Sequence, residues 1–348
     1  MKSSPAGEPQ ARGAGYPSPS IRSQCRPAFA AIGVLLALLS GAPALAEESA
    51  AIEWSVPARL VEKSLLLGTG IAEGVLAVVG ERGHILISND AGATWRQAKV
   101  PTRSTLTGAW FHDKQRGWAV GHDSVIVRTT DGGTTWERVH WAPEDESPFL
   151  DVLFVDEKRG YAIGAYGAFF TTDDGGTSWN AGQVSEGDDA HLNQIAISAS
   201  GKLYIAAEAG ALYRSDDGGT TWLRLEAPYD GSFFGVLPLE GEAVLVFGLR
   251  GHMLRSEDSG ATWTAVDTGT VAMLNAGVRL VDGTIVVVGL GGTVLVSRDG
   301  GRTFENHPQA NRAGIQAVAD LGGGKLAIVG DFGVKKTSLT ELTARAGR

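Results

Sequence analysis

Ser88-Asn89-Asp90-Ala91-Gly92-Ala93-Thr94-Trp95 decides the fold, because it comes back. It returns as Thr129-Thr130-Asp131-Gly132-Gly133-Thr134-Thr135-Trp136, then in units ending at Ser178-Trp179, Thr221-Trp222, Thr262-Trp263 and Thr303-Phe304. The closing aromatics step by 41, 43, 43, 41 and 41 residues, the period expected of a repeat architecture. Fifteen residues before each aromatic, a small residue closes a β-branched or apolar run: Gly80, Gly121, Gly164, Ala207, Gly248 and Gly289. A seventh such position, Gly330, follows with no aspartate turn after it, and Trp54 lies 41 residues before Trp95.

Each unit reads as strands. Phe149 to Val155, Gly160 to Gly164 and Ala168 to Thr172 are short apolar runs bounded by Gly and Asp turns, and a further strand starts at Trp179. Four strands in about 40–45 residues is the β-propeller pattern. Seven phases predict an all-β, seven-bladed β-propeller of four-stranded antiparallel blades. An unpaired last blade would leave an open edge. Residues 52–60, begun by Trp54, are therefore expected as its outermost strand, closing the ring.

The repeated motif explains itself as turn chemistry. Each carboxylate can accept the N–H groups of its own turn, the Gly permits a positive φ, and the aromatic inserts between sheets. Asp90, Asp131, Asp174, Asp217, Asp258 and Asp299 are therefore expected to be structural. One aspartate per blade cannot build an oxygen cage, so no metal or other cofactor is expected.

The 348 residues carry a formal charge of -9, which argues against nucleic acid as a partner. Residues 1–46 read as a secretory signal: Lys2, Arg12, Arg22 and Arg26, an apolar run from Ala28 to Leu39, then Ala44-Leu45-Ala46. Cleavage would remove Cys25, the one cysteine, and leave an acidic, cysteine-free protein in the periplasm. The propeller is expected over 47–340 and a C-terminal tail over 341–348.

The unit Gly121-His-Asp-Ser-Val-Ile-Val-Arg-Thr-Thr-Asp-Gly-Gly-Thr-Thr-Trp136 resembles the photosystem II stability/assembly factor family of BNR/Asp-box propellers. The resemblance covers the whole exported part. It implies a non-catalytic scaffold, peripheral to the membrane and monomeric, that binds an exported segment of a membrane protein. In a phototroph, where the site would be the periplasm or thylakoid lumen, that partner would be the D1 reaction-centre protein. In a heterotroph it would be another envelope complex.

Propellers usually bind partners through the turns joining the second strand to the third and the connections between blades. Arg82, Arg103, His122, Trp141, Tyr166, Arg250 and Phe332 are expected to share that face, and Arg and aromatics dominate binding hot spots. Thr107, Asp151, Asn193, Asn275 and Gln316 take one phase of the innermost strands, with Leu67 and Gly235, and should line the central channel. That lining reads first as solvated and second as a seat for a small ligand or cation. The competing functional class is a carbohydrate-active enzyme of the glycosidase or sialidase type. A glycosidase needs only two suitably spaced carboxylates, with Asp145, Asp151 and Asp189 as candidates. No His-Glu-x-x-His, G-x-S-x-G or P-loop pattern occurs.

Overall fold

A computed structural model describes residues 52–344. The signal expected over 1–46 lies outside them. Seven antiparallel sheets follow one another along the chain, spanning 66–97, 106–140, 149–181, 192–225, 233–265, 274–306 and 315–338, here blades 1 to 7. Blades 1 to 6 have four strands in sequential order and blade 7 has three.

Every innermost strand carries a register shift at the same place, between Leu66 and Gly68 in blade 1 and between Ile315 and Ala317 in blade 7. The shift explains the recurring glycine of the second strand. At Gly289 a Cβ would stand 2.0 Å from the Met273 carbonyl oxygen, and at Gly330 2.0 Å from that of Gly314. In six blades this position is glycine, which lets the two backbones approach so closely, and blade 4 carries the small Ala207 there.

The core is divided among the seven spaces between blades. Trp95, Trp136, Trp179, Trp222, Trp263 and Phe304 each enter one of them, next to the preceding blade. Trp136 packs edge-on to Phe111 at 6.2 Å, and Trp118, fully buried, stacks on Phe154 at 3.5 Å. Burying an indole this way is worth about 3–5 kcal/mol.

The seventh space, between blades 6 and 7, receives Leu342 instead, only 2% exposed. Leu342 belongs to α1 (Leu339–Thr343), a short helix whose Ser338 cap accepts from Glu341 N while Glu341 reaches back to Ser338 N. The boundary expected at residue 340 therefore falls inside a helix that fills the core.

This arrangement corrects the closure expected of Trp54. Residues 52–60 form no strand on blade 7. They run beside the outer part of blade 1, where Ser55 N donates to Val100 O (2.8 Å) and Gln97 accepts from Ala58 N (2.9 Å). Trp54 is 40% exposed, with the Lys99 ammonium 4.4 Å over its ring. Two causes are visible. Leu342 already occupies the seventh aromatic slot, and the side-chain bonds of Ser55 and Gln97 hold the segment to blade 1. The ring closes by packing, as Ala58 and Val61 wedge into the core shared by blades 7 and 1.

Candidate partner face and channel

The two rims of the ring are built differently. On one rim stand the six aspartate turns. Asp258 Oδ1 accepts from Thr262 N (2.8 Å) and Ser256 Oγ (2.8 Å), and its Oδ2 accepts from the Thr262 hydroxyl (2.7 Å). The Thr262 hydroxyl, then its N–H, hold the carboxyl down at about 2, and Thr221 does the same for Asp217. Asp90, Asp131, Asp174 and Asp299 make matching bonds and are likewise depressed. Donors of the turn itself thus surround each carboxylate.

A second layer of bonds joins these turns to the blade before them. The carbonyl following the aspartate accepts from Arg128 at Gly175 (3.2 Å), Arg214 at Ser259 (2.9 Å) and Arg255 at Gly300 (2.8 Å). The Tyr161 hydroxyl donates to the same position, Gly218 O. Arg255 is only 8% exposed and also pairs with Glu257 at 2.5 Å. These clasps fix the turns of blades 3 to 6 against the blade before.

The opposite rim carries the expected binding residues. Arg82, Tyr166 and Arg250 sit at equivalent turn tips with φ of 57°, 54° and 56°, all left-handed, which thrusts their side chains outward. His122 occupies the corresponding turn of blade 2, and Ala142 N donates to Asp123 O (3.1 Å), bringing Trp141 alongside. Tyr166 is 62% exposed and meets His191 edge-on at 4.8 Å. Trp141 is 36% exposed beneath the Arg138 guanidinium at 4.4 Å. Arg103 is tied to the N-terminal segment by Trp54 O (3.1 Å) and Glu53 (3.8 Å).

Phe332 departs from the set. It is half-buried and packs into the core between blades 6 and 7. Tyr229, stacked on His252 at 4.1 Å, belongs to the rim and was not singled out by sequence. Its signal was position: it lies on a connection between blades, as Trp141 does. Charge also divides this rim. Arg82, Lys99 and Arg103 stand by blade 1, whereas exposed Glu144, Asp145, Glu146, Glu186 and Asp189 follow blades 2 and 3.

Thr107, Asp151, Asn193, Asn275 and Gln316 all line a central cavity of about 380 Å³, together with Leu67. Most spend their polar atoms on the next blade. Thr107 Oγ1 donates to Phe149 O (2.7 Å), Asn193 to Phe233 O (2.8 Å) and Asn275 to Ile315 O (2.9 Å). Gln194, missed by sequence, accepts from Val236 N (2.7 Å). Two members of the expected phase are one residue off. By the register shift, Leu150 and Phe234 are the counterparts of Thr107, whereas Asp151 and Gly235 come one place later. Asp151 accepts from Ile195 N (3.1 Å) on blade 4, and burial pushes its carboxyl up to about 7. Asp145 and Asp189 are absent from this lining. Among the described residues no cluster of three His, Cys, Asp or Glu could hold a metal.

Seven sheets around a channel, with aspartate turns on one rim, define an Asp-box β-propeller. The profile of the family described as Photosynthesis system II assembly factor YCF48 matches residues 87–149 and 142–289, more than half of the chain, and the chain belongs to that family. Over 74 residues it is 38% identical to the chloroplastic photosystem II stability/assembly factor HCF136 of Cyanidioschyzon merolae, covering 19% of this chain and 17% of that protein. The match thus spans about a sixth of that relative's length. A solved structure described as YCF48 bound to D1 peptide superposes with a TM-score of 0.67 at 17% identity, covering 82% of this chain and 97% of the other. A streptogramin B lyase gives 0.69 at 12% identity, covering 82% and 96%. At such identities the likenesses establish the fold alone, and an enzyme shares it.

Proposed function

We propose that the protein is an exported, non-catalytic assembly scaffold whose unrepeated rim binds a segment of a membrane protein or envelope complex. Family membership supports the class, and the solved YCF48–D1 peptide structure supports a membrane-protein segment as the kind of partner. The observation that carries the reading is the rim itself. Arg82, Tyr166 and Arg250 project from equivalent left-handed turns, with Trp141 and His122 beside them. Exposed Arg and aromatic side chains of this kind anchor protein interfaces. In a phototroph the partner is a D1-like segment, and elsewhere an envelope complex takes its place.

The test is a photo-crosslinking probe placed at Tyr166, with a control probe at Ala93 on the opposite rim, in native envelopes. The expected product is one membrane-protein adduct from Tyr166, reduced at least tenfold by Arg82→Glu combined with Arg250→Glu. Equal yields from both rims would overturn the reading. The cavity favours a second reading, because it is lined by two carboxylates, Asp151 and Asp320, and a glycosidase employs a pair, one with a raised pKa as at Asp151. Turnover of a soluble glycan, lost in Asp151→Asn, would replace the scaffold with that enzyme.

A further inference from the structure

Blade 7 stops one strand short of its six neighbours. In blades 1, 3, 5 and 6 the residue opening the third strand accepts a backbone bond from just beyond the fourth. Ala98 N reaches Ile85 O (2.8 Å), Gly182 N reaches Phe169 O (2.8 Å), Val266 N reaches Met253 O (2.9 Å) and His307 N reaches Val294 O (2.7 Å). The counterpart in blade 7 is Val334, paired with Val329 as Val294 is with Val288.

The register of this strand (Gly333–Ser338) decides which groups face outward. Leu339 N donates to Gly324 O at 2.9 Å, continuing the ladder beyond the Lys325–Ser338 pair. Bonded pairs alternate in an antiparallel ladder, so Gly333, Lys335 and Thr337 bond inward. Val334 and Lys336 turn their N–H and C=O off the sheet. Ser338 N, next in that series, is capped by Glu341 Oε2 at 3.3 Å. Among the described residues nothing bonds the outward backbone groups of Val334 or Lys336.

We propose that this edge is a strand-addition site for an extended acidic segment of another protein. Main-chain bonds to Val334 and Lys336 would supply the pairing, as in other complexes built by adding a strand to a sheet. Charge selects the occupant. Lys335 and Lys336 are both exposed and lean to opposite faces of the strand, so a bound segment meets a cation on each side. The turn Val61–Lys63 packs against Gly333, so the open part of the edge runs from Val334 to Lys336, where lysines discourage neutral strands and admit acidic ones. The chain's own segment 52–58 is engaged on blade 1 through Ser55, Gln97 and Arg103. The site lies apart from the rim of the proposed function and stands without it.

The test uses the full exported chain and a labelled peptide with glutamates on both faces, Thr-Glu-Glu-Val-Thr-Glu-Glu-Val, followed by fluorescence anisotropy. The acidic peptide is expected to bind, and the same peptide with lysine for glutamate is not. Lys335→Glu with Lys336→Glu should weaken binding at least tenfold. Lys336→Pro should do the same by removing an outward N–H that the fold does not use, and circular dichroism confirms that each variant is folded. Amide exchange at Val334 and Lys336 should be fast in the free protein and slow in the complex. Equal binding of both peptides, or none of either, overturns the proposal. Slow exchange in the free monomer would assign the edge to the chain's own residues, and a dimer dispersed by Lys336→Pro would assign it to a second copy. Either result also overturns it.

Discussion

One rim of this ring repeats and the other does not. At the aspartate turns, Ser or Thr, Asp and a second Thr or Ser recur in six blades with nearly the same bonds. At the opposite turns the backbone recurs, with φ near 55° at Arg82, Tyr166, Ala209 and Arg250, but the side chains do not. Identical chemistry at equivalent places serves what six blades share, which is a rigid turn and an aromatic packed between sheets. Different side chains on an identical backbone are free to serve a partner. The contrast teaches where to look for binding.

The comparison can be broken most forcefully with indoles. Trp136→Ala should lower stability by about 3–5 kcal/mol, because the ring fills the space between blades 1 and 2. Trp54→Ala, at an exposed ring, should change stability by under about 1 kcal/mol. Urea denaturation of the two variants decides the matter, and equal losses would restore the closure once expected of Trp54. A smaller effect tests the clasps. Arg255→Ala removes the donor to Gly300 O and should cost about 2 kcal/mol, whereas Arg82→Ala on the other rim should stay within about 0.5 kcal/mol. Matching melting temperatures for these two would remove the structural distinction between the rims.

A further effect belongs to the channel and depends on pH. The Asp151 carboxyl is raised to about 7 from an ordinary 3.8, so the folded protein binds its proton more tightly than the unfolded chain. Stability contributed by that proton is present at low pH and lost as pH rises through this window. Asp151→Asn should therefore raise the melting temperature at pH 8 and raise it clearly less at pH 5, near the start of the window. A larger gain at pH 5 would refute the assignment.

Seven blades were legible because a period repeated many times averages out accident. Ring closure was not, because it rested on the single coincidence that Trp54 lies in phase with Trp95. Nothing in a periodic reading anticipates Leu342, which fills the last aromatic slot from a helix outside the repeat. The channel phase slipped at Asp151 for a related reason. Counting picked the polar residue, while the register shift assigns Leu150 to that place. The clasps of Arg128, Arg214 and Arg255 were hidden because their partners lie 45 to 47 residues away on another blade.

Those clasps bear on how such a chain can grow. From blade 2 to blade 5, each unit donates to the turn of the unit after it. A gene segment coding for any of blades 3 to 5 carries one giver and one receiver. Duplicating or deleting any of blades 3 to 5 leaves every remaining giver with a receiver, so blade number can change by copying without the joints being invented anew.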